Sequence, residues 1–299
     1  MGPMAVRIGI NPITWSNDDM PELGGDTPLE TCLRDARQAG YDGLELGNKF
    51  PRDAATLGPI MRAHGLAVVS GWHSGRLLER DAEAEIEALG PHLQLLRAMG
   101  CGVMVFAETT GSVAGERGTP VRRRPVMAEA QWPVFLARLD AVARYLAAQG
   151  VRMAFHHHMG TAIETAAEVD RMLAGTSEAV GLLLDTGHFT FAGDDPLAVL
   201  ERHAARVNHV HCKDVRADVL ARVRAADASF LDSVLAGVFT VPGDGSVDYA
   251  PILARLARQG YDGWLVVEAE QDPAIAHPLT YATIGRRNLS GLARRAGLC

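Results

Sequence analysis

Three histidines, His156, His157 and His158, stand in a row where an apolar run ends, in VRMAFHHHMG. Successive side chains of a β-strand point to opposite faces, so no single centre can use all three. Ala154, His156 and His158 share one face, expected to be the inner one, while Met153, Phe155 and His157 share the other. Further apolar runs end in the same kinds of group: Asp185 and His188 in LLLDTGH, His209, His211, Lys213 and Asp214 in HVHCKD, and Glu268 and Glu270 in WLVVEAE. The same alternation puts His209 one layer below His211 and sets Glu268 on a face with Glu270. Asp185, His211 and Glu268 therefore converge from consecutive strand ends as expected ligands. A mixed carboxylate and imidazole set with room left for water suits a divalent cation, Mn²⁺, Co²⁺ or Mg²⁺. Earlier runs end in Asn11, Trp15 and Asn17, in Glu45 and Lys49, in Trp72 and His73, and in Glu108. His157 reads as structural. Glu45 either hydrogen-bonds inside the mouth or touches a ligand, and Lys213 pairs with a carboxylate such as Asp214. The segment VPGDGSVD (241–248) is either a tight turn or a loop that closes over a ligand.

The elements that present these groups follow one rule. A glycine ends a helical pattern and a short apolar strand starts at once, in RDARQAG-YDGLELG, PIMRAHG-LAVVSGW, QLLRAMG-CGVMVFAE, RYLAAQG-VRMAFHHH and RLARQG-YDGWLVVEAE. Glycine just past a helix tolerates the left-handed conformation that closes its last turn. The strands VRIGI (6–10), VGLLLD (180–185) and RVNHVHC (206–212) complete the set. Helical stretches at 28–39, 54–64, 81–98, 130–149, 165–174, 195–204, 248–259 and 279–295 alternate with them. Such alternation implies parallel strands with helical crossovers, and eight units close the sheet into a single (β/α)8 TIM barrel over residues 1–299. A doubly wound sheet fits less well, because no GxGxxG turn follows the first strand. Two long connections, 108–129 and 213–247, follow strand C-termini, the face on which barrels build active sites. The second is expected to carry a helix within 217–237.

The formal net charge of −7 argues against a broad nucleic-acid footprint, and the RRR cluster at 122–124 reads as an exposed loop feature. Cys32, Cys101, Cys212 and Cys299 lack any CxxC spacing, so neither a zinc module nor a disulfide framework is indicated. No apolar run is long enough to span a membrane and no leader is evident, which points to the cytoplasm. The MGP before Met4 reads as a cloning remnant.

NPITWSNDDMPELGGD, YDGLELGNKFP, AFHHHMGTAIET, LLDTGHF, HVHCKDVR, FTVPGDGSVDY and WLVVEAEQDP together resemble the inosose dehydratases of myo-inositol catabolism, members of the xylose isomerase-like barrel superfamily. DTGH and HxHxKD are shared across that superfamily; SNDDMPELGGD and FTVPGDG to EAEQDP are more specific. The resemblance implies loss of water from scyllo-inosose, a small polyhydroxylated cyclic ketone, to give a trihydroxycyclohexane-1,2-dione. It implies metal ligands at Asp185, His211 and Glu268, and a carboxylate after the fifth strand. His156 stands where the sugar epimerases carry that carboxylate, so Glu164, brought back by the MGT turn, is the preferred fourth ligand over His156. Removing a proton beside a ketone needs a positioned base and stabilisation of the developing charge, and His156, His158, Glu164 and Glu268 are the candidates for proton transfer. The ring is expected to meet Trp15 or Trp72, Asn17, Glu45, Lys49, His73, His188, Lys213, Asp214 and Arg216. A homo-oligomer without nucleic-acid or membrane partner is expected. The alternatives are a keto-sugar isomerase or epimerase, an abasic-site endonuclease, disfavoured by the acidic balance, and a non-catalytic sugar-binding barrel.

Overall fold

The computed structural model describes residues 6–298; the MGP read as a cloning remnant and Cys299 lie outside the described residues. In chain order the strands are β1 Arg7–Ile10, β2 Gly43–Leu46, β3 Ala67–Gly75, β4 Val103–Glu108, β5 Arg152–His156, β6 Val180–Asp185 and β7 Val207–Cys212, then β8 Asp214–Val215, β9 Phe239–Thr240 and β10 Trp264–Val267. Eight of them close a parallel barrel in the order β1-β10-β7-β6-β5-β4-β3-β2, and β8 pairs with β9 as a separate ribbon. Closure comes from β1 against β10, with Ile8 opposite Leu265. The (β/α)8 barrel is therefore present. The five helix-ending glycines, Gly40, Gly65, Gly100, Gly150 and Gly260, all have φ between 62° and 90°, the conformation that stops each helix and turns the chain into the next strand.

Strand alternation divides the core into two layers. Met153 and Phe155 of β5 belong to the large apolar cluster that also holds Leu33, Leu57, Phe135 and Leu253 of the surrounding helices. Ala154 faces inward with Val103, Val105 and Leu183. Val69, Trp264 and Val266 fill the interior on the other side of the barrel, where the Arg7 guanidinium lies 4.0 Å over the Trp264 ring. The interior is thus packed below, and polar groups gather only toward the strand C-termini.

The two long connections meet above those C-termini. Residues 217–237 form two helices, Ala217–Ala225 and Phe230–Leu235, where one was expected. Asp227 takes a left-handed φ of 49° between them and the Ser229 hydroxyl accepts from Asp232 N–H to start the second. The 108–129 connection reaches this insert through an isolated Pro120–Ser229 bridge and through the Asp232 carboxylate, which accepts from Gly118 N–H and pairs with Arg117. A second apolar cluster, including Met20, Met159, Val215, Phe230 and Phe239, packs beneath. A short helix, Thr186–Ala192, was not expected; it starts at once after β6 because Asp185 caps it. Among the described residues no helix is long and apolar enough to cross a membrane.

Candidate metal and substrate site

Side chains from β2, β3, β5, β6 and β7, with Asn11 and Glu268 just past β1 and β10, build one buried column. At its base the Glu45 carboxylate accepts from Ser70 Oγ at 2.6 Å, from Asn11 Nδ2 at 2.7 Å, from His209 Nε2 at 2.8 Å and from His211 Nε2 at 3.1 Å. Above it, His211 Nδ1 lies 3.0 Å from Glu268 Oε2 and 3.5 Å from Asp185 Oδ2, and His156 Nε2 lies 3.5 Å from that same oxygen. Ligand atoms of His156, Asp185, His211 and Glu268 all fall within 4.8 Å of one another. Register makes this meeting unavoidable: Asp185 sits opposite His211 on neighbouring strands.

Those residues fit a divalent cation, and the hydrogen bonds say so. His211 Nε2–H donates to Glu45, which leaves the Nδ1 lone pair facing Asp185 and Glu268. His156 Nδ1–H donates to the His157 carbonyl, which can only accept, so its Nε2 lone pair faces the same point. Asp185 spends Oδ1 on the His188 N–H at 2.8 Å, while its Oδ2 and the His211 Nδ1 are buried without a hydrogen-bond partner. Orphaned buried polar atoms are costly, and a cation among them removes the cost. Burial alone would push the His211 pKa down, but the Glu268 and Glu45 carboxylates hold it well above the usual histidine range. Burial would raise Asp185 and Glu268, yet Lys213 and His188 around Asp185, and His211 and Lys213 around Glu268, keep both carboxyls below the usual range.

Lys213 is fully buried beside this set, its Nζ 2.7 Å from Glu268 and 2.5 Å from Glu270. A cavity of about 450 Å³ opens over the cluster, lined among others by His156, His158, His211, Glu268, Glu270, Trp72, Asp18, Asp19 and Arg52. Trp72, 40% exposed, stands edge-on to His156 and His158 with ring centroids 5.4 and 5.7 Å away.

Several expected site residues are elsewhere. The Glu164 carboxylate does not reach the cluster: Oε2 accepts from Gly160 N–H at 2.7 Å and Oε1 pairs with Arg124 at 3.3 Å, while His156 is the residue of the fifth strand that lies with Asp185, His211 and Glu268. Trp15 is buried in the outer core with its indole N–H donated to Asp35, leaving Trp72 as the aromatic wall. Asn17 turns its Oδ1 to the N–H groups of Asp19 and Met20. Lys49 donates to the Gly25 carbonyl, and His73, on the opposite face of β3 from Trp72, pairs with Glu85 at 2.6 Å. Asp214 and Arg216 hold the 241–248 turn, Asp214 accepting from Gly243 and Val247 N–H and Arg216 bonding Asp244, so that segment is a fixed turn into the helix Tyr249–Arg258. Arg124 is not an exposed loop residue: only 12% of its side chain is exposed, and it binds Glu164, Glu168 and the Thr161 carbonyl. His188 is buried beside His158, ring centroids 4.0 Å apart, and His157 stacks outward on Phe189 at 3.6 Å. The sequence reading passed over Asp18, Asp19, Arg52 and Thr109, which line the cavity from loops that carry no strand period.

Comparison with known proteins bears directly on this arrangement. Residues 33–289 match the family model for the xylose isomerase-like TIM barrel. An inosose dehydratase of Geobacillus thermodenitrificans is 45% identical, the match covering 94% of this chain and 95% of that protein. The chain belongs to the xylose isomerase-like TIM barrel family, with the inosose dehydratases. Within this family it is also 56% identical to a rhizopine catabolism protein of Rhizobium meliloti, over 98% of this chain and 90% of the other. Solved structures share the fold: an L-ribulose 3-epimerase superposes with a TM-score of 0.68 at 20% identity, covering 98% of this chain and 96% of that one. The IolI protein with a bound zinc atom superposes with a TM-score of 0.70 at 15% identity, over 97% of this chain and 99% of its own.

Proposed function

We propose that the chain is a metal-dependent hydro-lyase that removes water from scyllo-inosose to give a trihydroxycyclohexane-1,2-dione in inositol catabolism. The observation that carries the metal requirement is the pair of orphaned buried atoms, Asp185 Oδ2 and His211 Nδ1, with both imidazole lone pairs aimed between them. The 43–45% identity to inosose dehydratases over 94% of the chain carries the substrate. His156, Asp185, His211 and Glu268 would hold the cation, Mn²⁺ or Co²⁺ by the mixed nitrogen and oxygen donor set, with Mg²⁺ a poorer match to two imidazoles. A bound divalent cation supplies Lewis-acid stabilisation to the ketone oxygen as negative charge develops on it.

The chain's own groups divide the proton work. With His158 Nδ1 donating to the Met159 carbonyl at 2.8 Å, its Nε2 lone pair is left at the cavity to take the proton from the carbon beside the ketone; burial and the neighbouring His156 depress its pKa to about 3, which keeps the imidazole neutral but weakens it as a base, so the role rests on this geometry. Burial raises Glu270 to about 7 against the pull of Lys213, so it can carry a proton to the departing β-hydroxyl. The C–H electron pair becomes the new C=C bond, the C–O bond breaks, and water leaves. The resulting enol, which already bears a hydroxyl, returns to the ketone and completes the dione. Trp72 gives the ring an apolar wall, and Asp18, Asp19 and Arg52 offer hydrogen bonds to its hydroxyls. We place this activity in the cytoplasm, in a homo-oligomer acting on a small neutral ring with no nucleic-acid or membrane partner, consistent with the charge of −7.

Incubation of the Mn²⁺-loaded protein with scyllo-inosose tests the reading. Dione formation with loss of one water per ring is expected; turnover of ketohexoses without dehydration of inosose would assign the chain to the isomerases instead.

A further inference from the structure

His158, His188 and Glu270 form another group whose ligand atoms lie within 4.8 Å of one another. It adjoins the first, the His156 and His188 rings being 5.2 Å apart. His188 Nδ1 already accepts from Met159 N–H, so the donors open to a second cation here are His158 Nε2, Glu270 and the outer oxygen of Glu268. Glu268 also has the posture of a bridging ligand: Oε2 faces His211 and Asn11 at 3.0 Å each, and Oε1 faces away at 2.7 Å from Lys213 Nζ. In two-metal sites the ions stand roughly 3.5–4 Å apart across such bridges.

The ammonium of Lys213 lies on the far side of that bridge, 2.5 Å from Glu270 Oε1 and 3.1 Å from His188 Nε2. Its position is fixed from every side. The side chain is wholly buried, the Phe239 ring lies 4.7 Å from Nζ, and the stem runs so close to Gly187 that a Cβ there would come within 2.4 Å of Lys213 Cγ. Glycine in DTGH is thus needed to admit this lysine.

We propose that Lys213 is a tethered monocation that fills the second cation position and holds the site to one divalent metal per chain. The inference rests on the metal reading given above. Because the ammonium is covalently attached and enclosed, a free cation competes against a partner of very high effective concentration.

Mn²⁺ titration of the metal-free full chain, read by native mass spectrometry and by electron paramagnetic resonance, tests this. One Mn²⁺ per wild-type chain with the spectrum of an isolated ion is expected. Lys213→Met, which keeps the stem and removes the charge, is expected to bind two with a spin-coupled spectrum. Lys213→Arg, and the double variant Lys213→Met/Glu270→Gln, are expected to bind one. Two ions in the wild type or in Lys213→Arg overturn the proposal, and those two measurements decide it even where Lys213→Met does not fold. A cooperatively melting Lys213→Met that binds a single ion also overturns it. No ion bound to wild type overturns the metal reading itself.

Discussion

Glu45 is buried beside the metal cluster, where it fixes the tautomer of His211 and carries His209, Ser70 and Asn11 on the same carboxylate. Outer partners of this kind cost roughly 10–100-fold in metal affinity when removed. Glu45→Gln keeps the shape and loses the charge, so Mn²⁺ titration is expected to show a Kd raised by that factor; an unchanged Kd would mean that His211 is oriented by packing alone. Asp185, His211 and Glu268 were legible in the sequence because each ends an apolar run, and alternation fixes which face such a residue takes. Trp72 and His73 show the same rule neglected, since adjacent strand residues cannot both face the cavity. Trp15 was illegible for another reason: the 3₁₀ turn Pro12–Thr14 swings it away from the mouth and onto Asp35. Glu164 points away from the cluster because its direction is set by Arg124, from a connection far away in sequence that no local pattern encodes.

The segment from the end of β5 to the helix Ala166–Ala174 behaves as one clamp. Gly160 takes a left-handed φ of 79° with its would-be Cβ against the Ala114 backbone, Thr165 and Glu168 form a capping box, and Arg124 ties Glu164, Glu168 and the Thr161 carbonyl together. This holds His158 at the cavity. Burial raises Glu164 from 4.5 to about 7, more than Gly160 N–H and Arg124 lower it. Between these values the folded chain keeps a proton that the unfolded chain has released, so this group makes stability fall as pH rises through the window. Melting of Glu164→Gln from pH 5 to 8 is expected to lack that part of the wild-type decline while Mn²⁺ affinity is kept. A lost Mn²⁺ site in this variant would restore Glu164 as a ligand. The close fit at Gly187 gives a further expectation at this scale: Gly187→Ala pushes the Lys213 stem aside, destabilising the fold by about 1–3 kcal/mol as overpacking typically does, measurable by urea unfolding. A neutral result would mean that the lysine can move.

Across the whole molecule, the alternation of helix, glycine and strand was enough to fix the barrel, because seven crossovers of one hand leave few other topologies. What lies over its mouth was less legible. The two long connections are held to each other by Arg117, Asp232 and the Pro120–Ser229 bridge, contacts between segments about 110 residues apart that no local pattern encodes. The cluster joins β5, β6, β7 and the segment after β10, so an ion bound there ties together elements from half of the barrel. Binding to the folded chain alone adds about 2.7 kcal/mol at a hundredfold excess over Kd. At a Tm response of about 2–4 °C per kcal/mol, Mn²⁺ is expected to raise the Tm by roughly 5–10 °C and a chelator to reverse it. The same shift in Asp185→Ala would place the ion elsewhere. The account's central claim, dehydration of inosose by a cation on His156, Asp185, His211 and Glu268, is tested most directly by titrating Mn²⁺ into chelator-treated protein while following dione formation, beside Asp185→Ala. The account predicts no dehydration without metal, recovery in step with the first equivalent bound, and none in the variant; full activity in chelator or in Asp185→Ala would contradict it.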